Sequence, residues 1–144
     1  MLIVFYDGGC GLCAACRAWL SAQPQWEPLR FVAYQSAEAR QLCPRLEEFD
    51  PAREIVVMAD GGQIYTGGAA WVMCLWALPA YREWAIRLAH PRLLPLAKKF
   101  CHLVSENRLR LSQLLRLRPV DAEIELRRAP DPQLNCPLPG SEIP

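Results

Sequence analysis

Leu2-Ile3-Val4-Phe5-Tyr6-Asp7-Gly8-Gly9-Cys10-Gly11-Leu12-Cys13 is the stretch whose reading decides the fold. Leu2 to Tyr6 is an unbroken apolar run and predicts a buried strand. Asp7 ends the run, two glycines turn the chain, and Cys10 stands where a helix begins. Cys13 follows at Cys-x-x-Cys spacing. Both thiols then fall within one helical turn, close enough to close a small disulfide ring.

This placement suits redox chemistry. The first turn of a helix carries N–H groups with no intrahelical partner, and the helix dipole is positive there. A thiolate at that point is stabilised, so its pKa falls and its nucleophilic fraction rises. Cys10 is therefore the expected attacking thiol. Cys13, deeper in the helix and expected to be the more buried, is the expected resolving thiol. Asp7 has two readings. It can take the proton of Cys13 as that thiol attacks, or it can serve only as a turn former or cap.

Outward from the motif, Gly11 to Ala22 predicts a helix that Gln23-Pro24 ends. Leu29 to Tyr34 is a second strand, and Ser36 is a good N-cap for a helix over Ala37 to Leu42. Pro44 breaks that helix, a further turn is expected over Leu46 to Phe49, and Asp50-Pro51 is a turn. Ile55 to Ala59 is a third strand. Asp60-Gly61-Gly62-Gln63 is a hairpin turn, and Ile64-Tyr65 begins a fourth strand. Thr66-Gly67-Gly68 opens a helix through Leu78, which Pro79 interrupts. Tyr81 to His90 is expected to be amphipathic, with Trp84 and Leu88 inward. Leu96 to Val104 is helical, and Ser105 to Leu117 continues or restarts it. The order β-α-β-α-β-β-α, with Cys-x-x-Cys after the first strand, is that of an α/β thioredoxin-like domain. It predicts a mixed four-stranded sheet with helices on both faces and additional C-terminal helices from about residue 80. The domain is expected over residues 1–118, and residues 119–144 are expected to be a poorly ordered, Pro-rich tail.

The 144 residues suffice for one domain with a core. Residues 1–81 carry 5 basic and 8 acidic side chains, and residues 82–128 carry 11 basic and 5 acidic. The basic block is read as solvated helix faces, and no nucleic-acid partner is expected. No basic leader precedes the first strand. The longest apolar stretch, Ala69 to Ala80, falls short of the ~20 residues of a membrane span. The expectation is a soluble, cytoplasmic protein without a transmembrane segment. In a reducing compartment, the 7 cysteines are not a disulfide framework.

The same residues resemble the DCC family of thiol-disulfide oxidoreductases, also known as DUF393. The family's Asp-x-x-Cys-x-x-Cys motif falls on Asp7, Cys10 and Cys13. The similarity continues through Phe31 to Ser36, Asp60 to Tyr65 and Gly68 to Ala70. It closes in Pro95 to Phe100 and Asn107-Arg108-Leu109-Arg110. The resemblance implies a thioredoxin-like fold and disulfide exchange, with functional roles at Asp7, Cys10 and Cys13. Thioredoxins place a proline directly before the third strand, whereas here Pro51 lies four residues before Ile55 and Glu54 stands nearest the strand.

Other residues are candidates beside this pair. Cys16 extends the motif to Cys-x-x-Cys-x-x-Cys, so Cys10, Cys13 and Cys16 are an alternative zinc or iron–sulfur ligand set, with Cys136 a conceivable fourth ligand. The plainer role of Cys16 is a small buried hydrophobe or a secondary resolving thiol. Cys43, Cys74 and Cys101 are expected to be buried. Trp71, Trp76 and Trp84 read as packing residues, as do Trp19 and Trp26. His90 and His102 show no spacing to a carboxylate that suggests a ligand pair. Arg108 and Arg110 are expected to make structural contacts. No flavin, nicotinamide or other cofactor site is seen, so a separate protein or glutathione would supply electrons. The substrate would be a protein or small-molecule disulfide. A non-catalytic thioredoxin-like adaptor is the third reading.

Overall fold

The computed structural model describes residues 1–115; the expected tail and Cys136 lie outside them. The elements run β1 (Leu2–Tyr6), α1 (Gly11–Ala22), β2 (Leu29–Ala33), α2 (Ala37–Leu42), β3 (Val56–Ala59), β4 (Ile64–Thr66), α3 (Gly67–Trp76), α4 (Arg82–Leu88) and α5 (Leu94–Leu114). Single 3-10 turns cover Leu46–Phe49 and Pro79–Tyr81. This is the expected element order, with boundaries shifted by a residue or two.

The sheet order is β2-β1-β3-β4. β1 pairs parallel with β2 in the register Leu2 with Leu29, and antiparallel with β3 in the register Leu2 with Ala59. β3 and β4 form an antiparallel hairpin. A parallel β1–β2 pair needs a crossover, and α1 supplies it. The mixed sheet, with helices on both faces and two helices added after α3, is the thioredoxin-like arrangement.

Alternation along β1 divides the core in two. Leu2, Val4 and Tyr6 pack with Leu20 of α1 and with Ala70 and Cys74 of α3. Ile3 and Phe5 pack on the opposite face with Ala39, Leu42, Cys43 and Leu46. Phe5 is 0% exposed, and complete burial of such a side chain contributes about 1.5–3 kcal/mol. The opposite face is set locally. The Ser36 hydroxyl accepts from the Ala39 N–H at 3.1 Å, as expected of an N-cap.

α3 begins in a confined place. Gly67 has φ 54°, in the left-handed region, and a Cβ there would also meet the Glu54 carboxylate at 2.7 Å. A Cβ on Gly68 would stand 2.9 Å from the Lys98 Cα. Gly68 is therefore the point where α3 and α5 make close backbone approach. Thr66 precedes α3 but makes no side-chain cap bond.

The added helices settle one open reading and change one expectation. Residues 94–114 form one continuous helix, so the segment after Ser105 continues rather than restarts, with Pro95 in the first turn, where a missing N–H leaves no bond broken. Trp84 is 59% exposed rather than inward. α4 is a short helix that buries Ala85, and this phase turns Trp84 outward, where the Arg87 guanidinium lies 5.3 Å from its ring. Trp19 and Trp26 are also exposed. Trp19 meets Tyr81 edge-on, and Arg82 lies over Trp26. Among the described residues, no helix is long and apolar enough to cross a membrane.

Candidate functional site

The turn after β1 is held by Asp7. Its Oδ1 accepts from the Gly9 N–H at 2.9 Å and from Gln35 Nε2 at 2.6 Å, and its backbone carbonyl accepts from the Cys10 N–H at 3.3 Å. The side-chain bond to a residue two positions on is an Asx turn. Gln35 Oε1 also accepts from the Gly8 N–H at 3.2 Å, tying the loop to the end of β2. The turn-former reading of Asp7 is thus realised, and its other oxygen has a separate partner. Oδ2 accepts from Arg108 Nη2 at 2.9 Å, with side-chain exposures of 11% and 18%. Arg108 comes from α5, so the added helix completes the loop of the first strand.

Cys10 is the residue before α1, with extended backbone angles, and it is 1% exposed. Cys13 is half-buried. The expected order of burial is therefore reversed. Cys10 ends the loop beneath its own turn, whereas Cys13 projects from the first turn of α1 toward an open space between helices. Cys10 and Cys13 are both free thiols.

The pair is electrostatically unequal. A hydrogen bond from the Cys13 thiol to Cys10 lowers the Cys10 pKa; burial opposes this, and the N–H groups of Cys13 and Leu12 and the charge of Arg108 add to the lowering. The result is about 6, well below the ordinary thiol range. Cys13 moves the opposite way. Its bond to Cys10, its burial and the Cys10 charge all raise its pKa, Arg108 opposes this and the charge of Asp7 adds to it. The shared hydrogen bond thus favours the charge on Cys10 and the proton on Cys13.

The remaining cysteines separate by place. Cys16 lies one turn beyond Cys13, and burial raises its pKa. Cys43 is buried on the opposite face, and Cys74 is fully buried, its pKa pushed up to about 12 by burial. Cys101 is half-buried rather than fully buried as expected, because it lines the open space beside α3. Among the described residues, no group of three or more His, Cys, Asp or Glu side chains is placed to hold a metal ion, so Cys10, Cys13 and Cys16 do not meet as a ligand set. His102 has carboxylate neighbours after all: Glu54 at 3.8 Å and Glu106 at 3.2 Å. The Glu106 contact was readable as an i, i+4 spacing.

Gln35 and Arg108 join the site from outside the motif. The sequence pattern marks Arg108 as a structural contact and carries for Gln35 no signal beyond its place in the block Phe31 to Ser36.

The family model for DCC1-like thiol-disulfide oxidoreductase matches residues 4–114. No curated protein and no solved structure matches the chain.

Proposed function

The chain belongs to the DCC1-like thiol-disulfide oxidoreductase family, and from that premise we propose that Cys10 and Cys13 are its exchanging pair, working in the reducing direction. The observation that carries this reading is the unequal pair itself: Cys10 at the start of α1 takes a hydrogen bond from Cys13, which lowers the Cys10 pKa and raises that of Cys13. The Cys10 thiolate attacks one sulfur of a substrate disulfide, in a protein or a small molecule, and expels the other as a thiolate that takes up a proton. Cys13 then loses its proton and attacks Cys10 in the mixed disulfide. The second substrate thiol leaves, and a Cys10–Cys13 disulfide remains. Two electrons pass from the pair to the substrate. A separate protein reductant or glutathione restores the dithiol.

Asp7 takes the Cys13 proton in the second step. Its charge already acts on Cys13, and Arg108, Gly9 and Gln35 fix its carboxylate in place. Arg108 stabilises the Cys10 thiolate. Cys10 is covered, so exchange requires local opening around it.

The test is turnover of a small aromatic disulfide with each variant, followed by intact mass spectrometry. Cys10→Ser abolishes turnover. Cys13→Ser accumulates a mixed disulfide on Cys10. Asp7→Asn accumulates the same species transiently and resolves it slowly, because attack by Cys13 lacks its base. Full turnover by Cys10→Ser would sink the mechanism.

A further inference from the structure

Between the sheet and the helices α1, α3 and α5 lies a cavity of about 810 Å³. Its floor is Val4, Phe31 and Ile55, and its walls include Cys13 and Cys16 of α1, Trp71 and Leu75 of α3, and Ala97 and Cys101 of α5. We infer that this cavity is a binding site for a neutral, apolar small molecule, which lies against the Cys13 and Cys16 thiols when bound. The cavity reaches Asp7, Cys13 and Arg108 of the exchange site but not Cys10, so its occupancy is read separately from attack by Cys10.

The volume lies within the range of about 300–1,000 Å³ occupied by drug-sized ligands. Protein interiors are close-packed, and an apolar space of this size deprives its lining of dispersion contacts. Water gains little along the apolar part of the wall, from Val4 and Phe31 to Trp71, Leu75 and Ala97, because an ordered water needs two to four polar partners. An apolar occupant restores those contacts.

The charges at the cavity decide what kind of occupant fits. Asp7 is paired with Arg108 at 2.9 Å, Glu54 faces His102 at 3.8 Å, and Arg53 faces Asp50 at 3.8 Å. Arg17 donates to the Tyr6 hydroxyl at 3.0 Å. The close Asp7–Arg108 pair is mostly buried and its charges cancel, so an ionic ligand at that end of the cavity would have to displace it. The way in is apolar as well. Leu96 and Phe100 line the cavity, yet are 65% and 66% exposed, so they form its rim. The helices are spaced by the Gly68–Lys98 contact, which fixes α5 at one end while the cavity runs along its length.

The test is titration of the full chain with the neutral fluorophore N-phenyl-1-naphthylamine. Saturable binding at one site per chain is expected. Ala97→Phe fills the cavity and weakens binding at least 10-fold. A second readout does not depend on that variant folding: the fluorophore slows maleimide labelling of Cys16 and Cys101 at least 5-fold and leaves Cys43 unaffected. Cys10→Ser binds as the wild type does, although its turnover is lost, so failure here and failure of the exchange mechanism are distinguishable. Non-saturable binding, binding unchanged in folded Ala97→Phe, or labelling of Cys16 and Cys101 unaffected by the fluorophore would overturn the inference. So would loss of binding on self-association, which would make a second copy of the chain the occupant.

Discussion

β1 serves two faces that were built differently. On one, Ile3 and Phe5 meet Ala39, Leu42, Cys43 and Leu46, each at most 3% exposed. On the other, Val4 and Tyr6 pack with Leu20 and Cys74 but also line a cavity of about 810 Å³. The closed face is assembled from neighbours in sequence, a capped short helix and a 3-10 turn directly after β2. The open face depends on α5, which arrives last and is held off the sheet by α3 and α1. One strand thereby supports a sealed core and a functional space, and the cysteine loop sits at the end of the strand where both begin.

The largest effect belongs to the closed face. Phe5→Ala removes a fully buried ring and is expected to cost about 3–5 kcal/mol in urea unfolding. The pH midpoint of Cys10 alkylation should stay near 6 in the protein that remains folded, because neither Arg108 nor Cys13 touches that face. A shifted midpoint would mean that the two faces are coupled.

Arg108→Gln is the counterpart at the site. It strips a charged hydrogen-bond partner from a mostly buried carboxylate, at an expected cost of about 1.5–3 kcal/mol, and it should raise the Cys10 alkylation midpoint above about 6. The sign of the pH effect follows from linkage. The folded-state pKa of Cys10 is depressed, so the reduced fold gains its full stabilisation above the unfolded thiol pKa and loses it as pH falls through about 6. The reduced protein should therefore melt at higher temperature at pH 8 than at pH 6. Cys10→Ser should abolish that rise, and Arg108→Gln should narrow it.

The smallest effect sharpens the comparison most. Leu42→Phe overpacks the sealed face and should cost about 1–3 kcal/mol, whereas Leu75→Phe points into the cavity and should cost less than about 1 kcal/mol. Equal costs, measured by urea denaturation, would show that the open face is as tightly packed as the closed one.

Much of this protein is written locally. The apolar run of β1, the Asp7-Gly8-Gly9 turn, the cysteine spacing, the Ser36 cap and the Asp60–Gln63 hairpin each depend on residues a few positions apart. Backbone geometry and capping chemistry act over that range, so sequence alone determined the element order, the mixed sheet and the position of the thiol pair. Tertiary structure decided what depends on contacts between distant elements. It brought Arg108 to Asp7 and Gln35 under the loop, covered Cys10 rather than Cys13, and turned Trp84 outward. It also left the cavity beside Cys13 and Cys16. Gln35 reaches the loop through the pairing of β1 with β2, whereas Arg108, Trp84 and the cavity follow from how α4 and α5 pack, and that packing is set by the whole of the facing surface. The Gly68–Lys98 approach, closer than any side chain allows, shows the reason: a contact of that kind has no periodicity for a sequence pattern to carry.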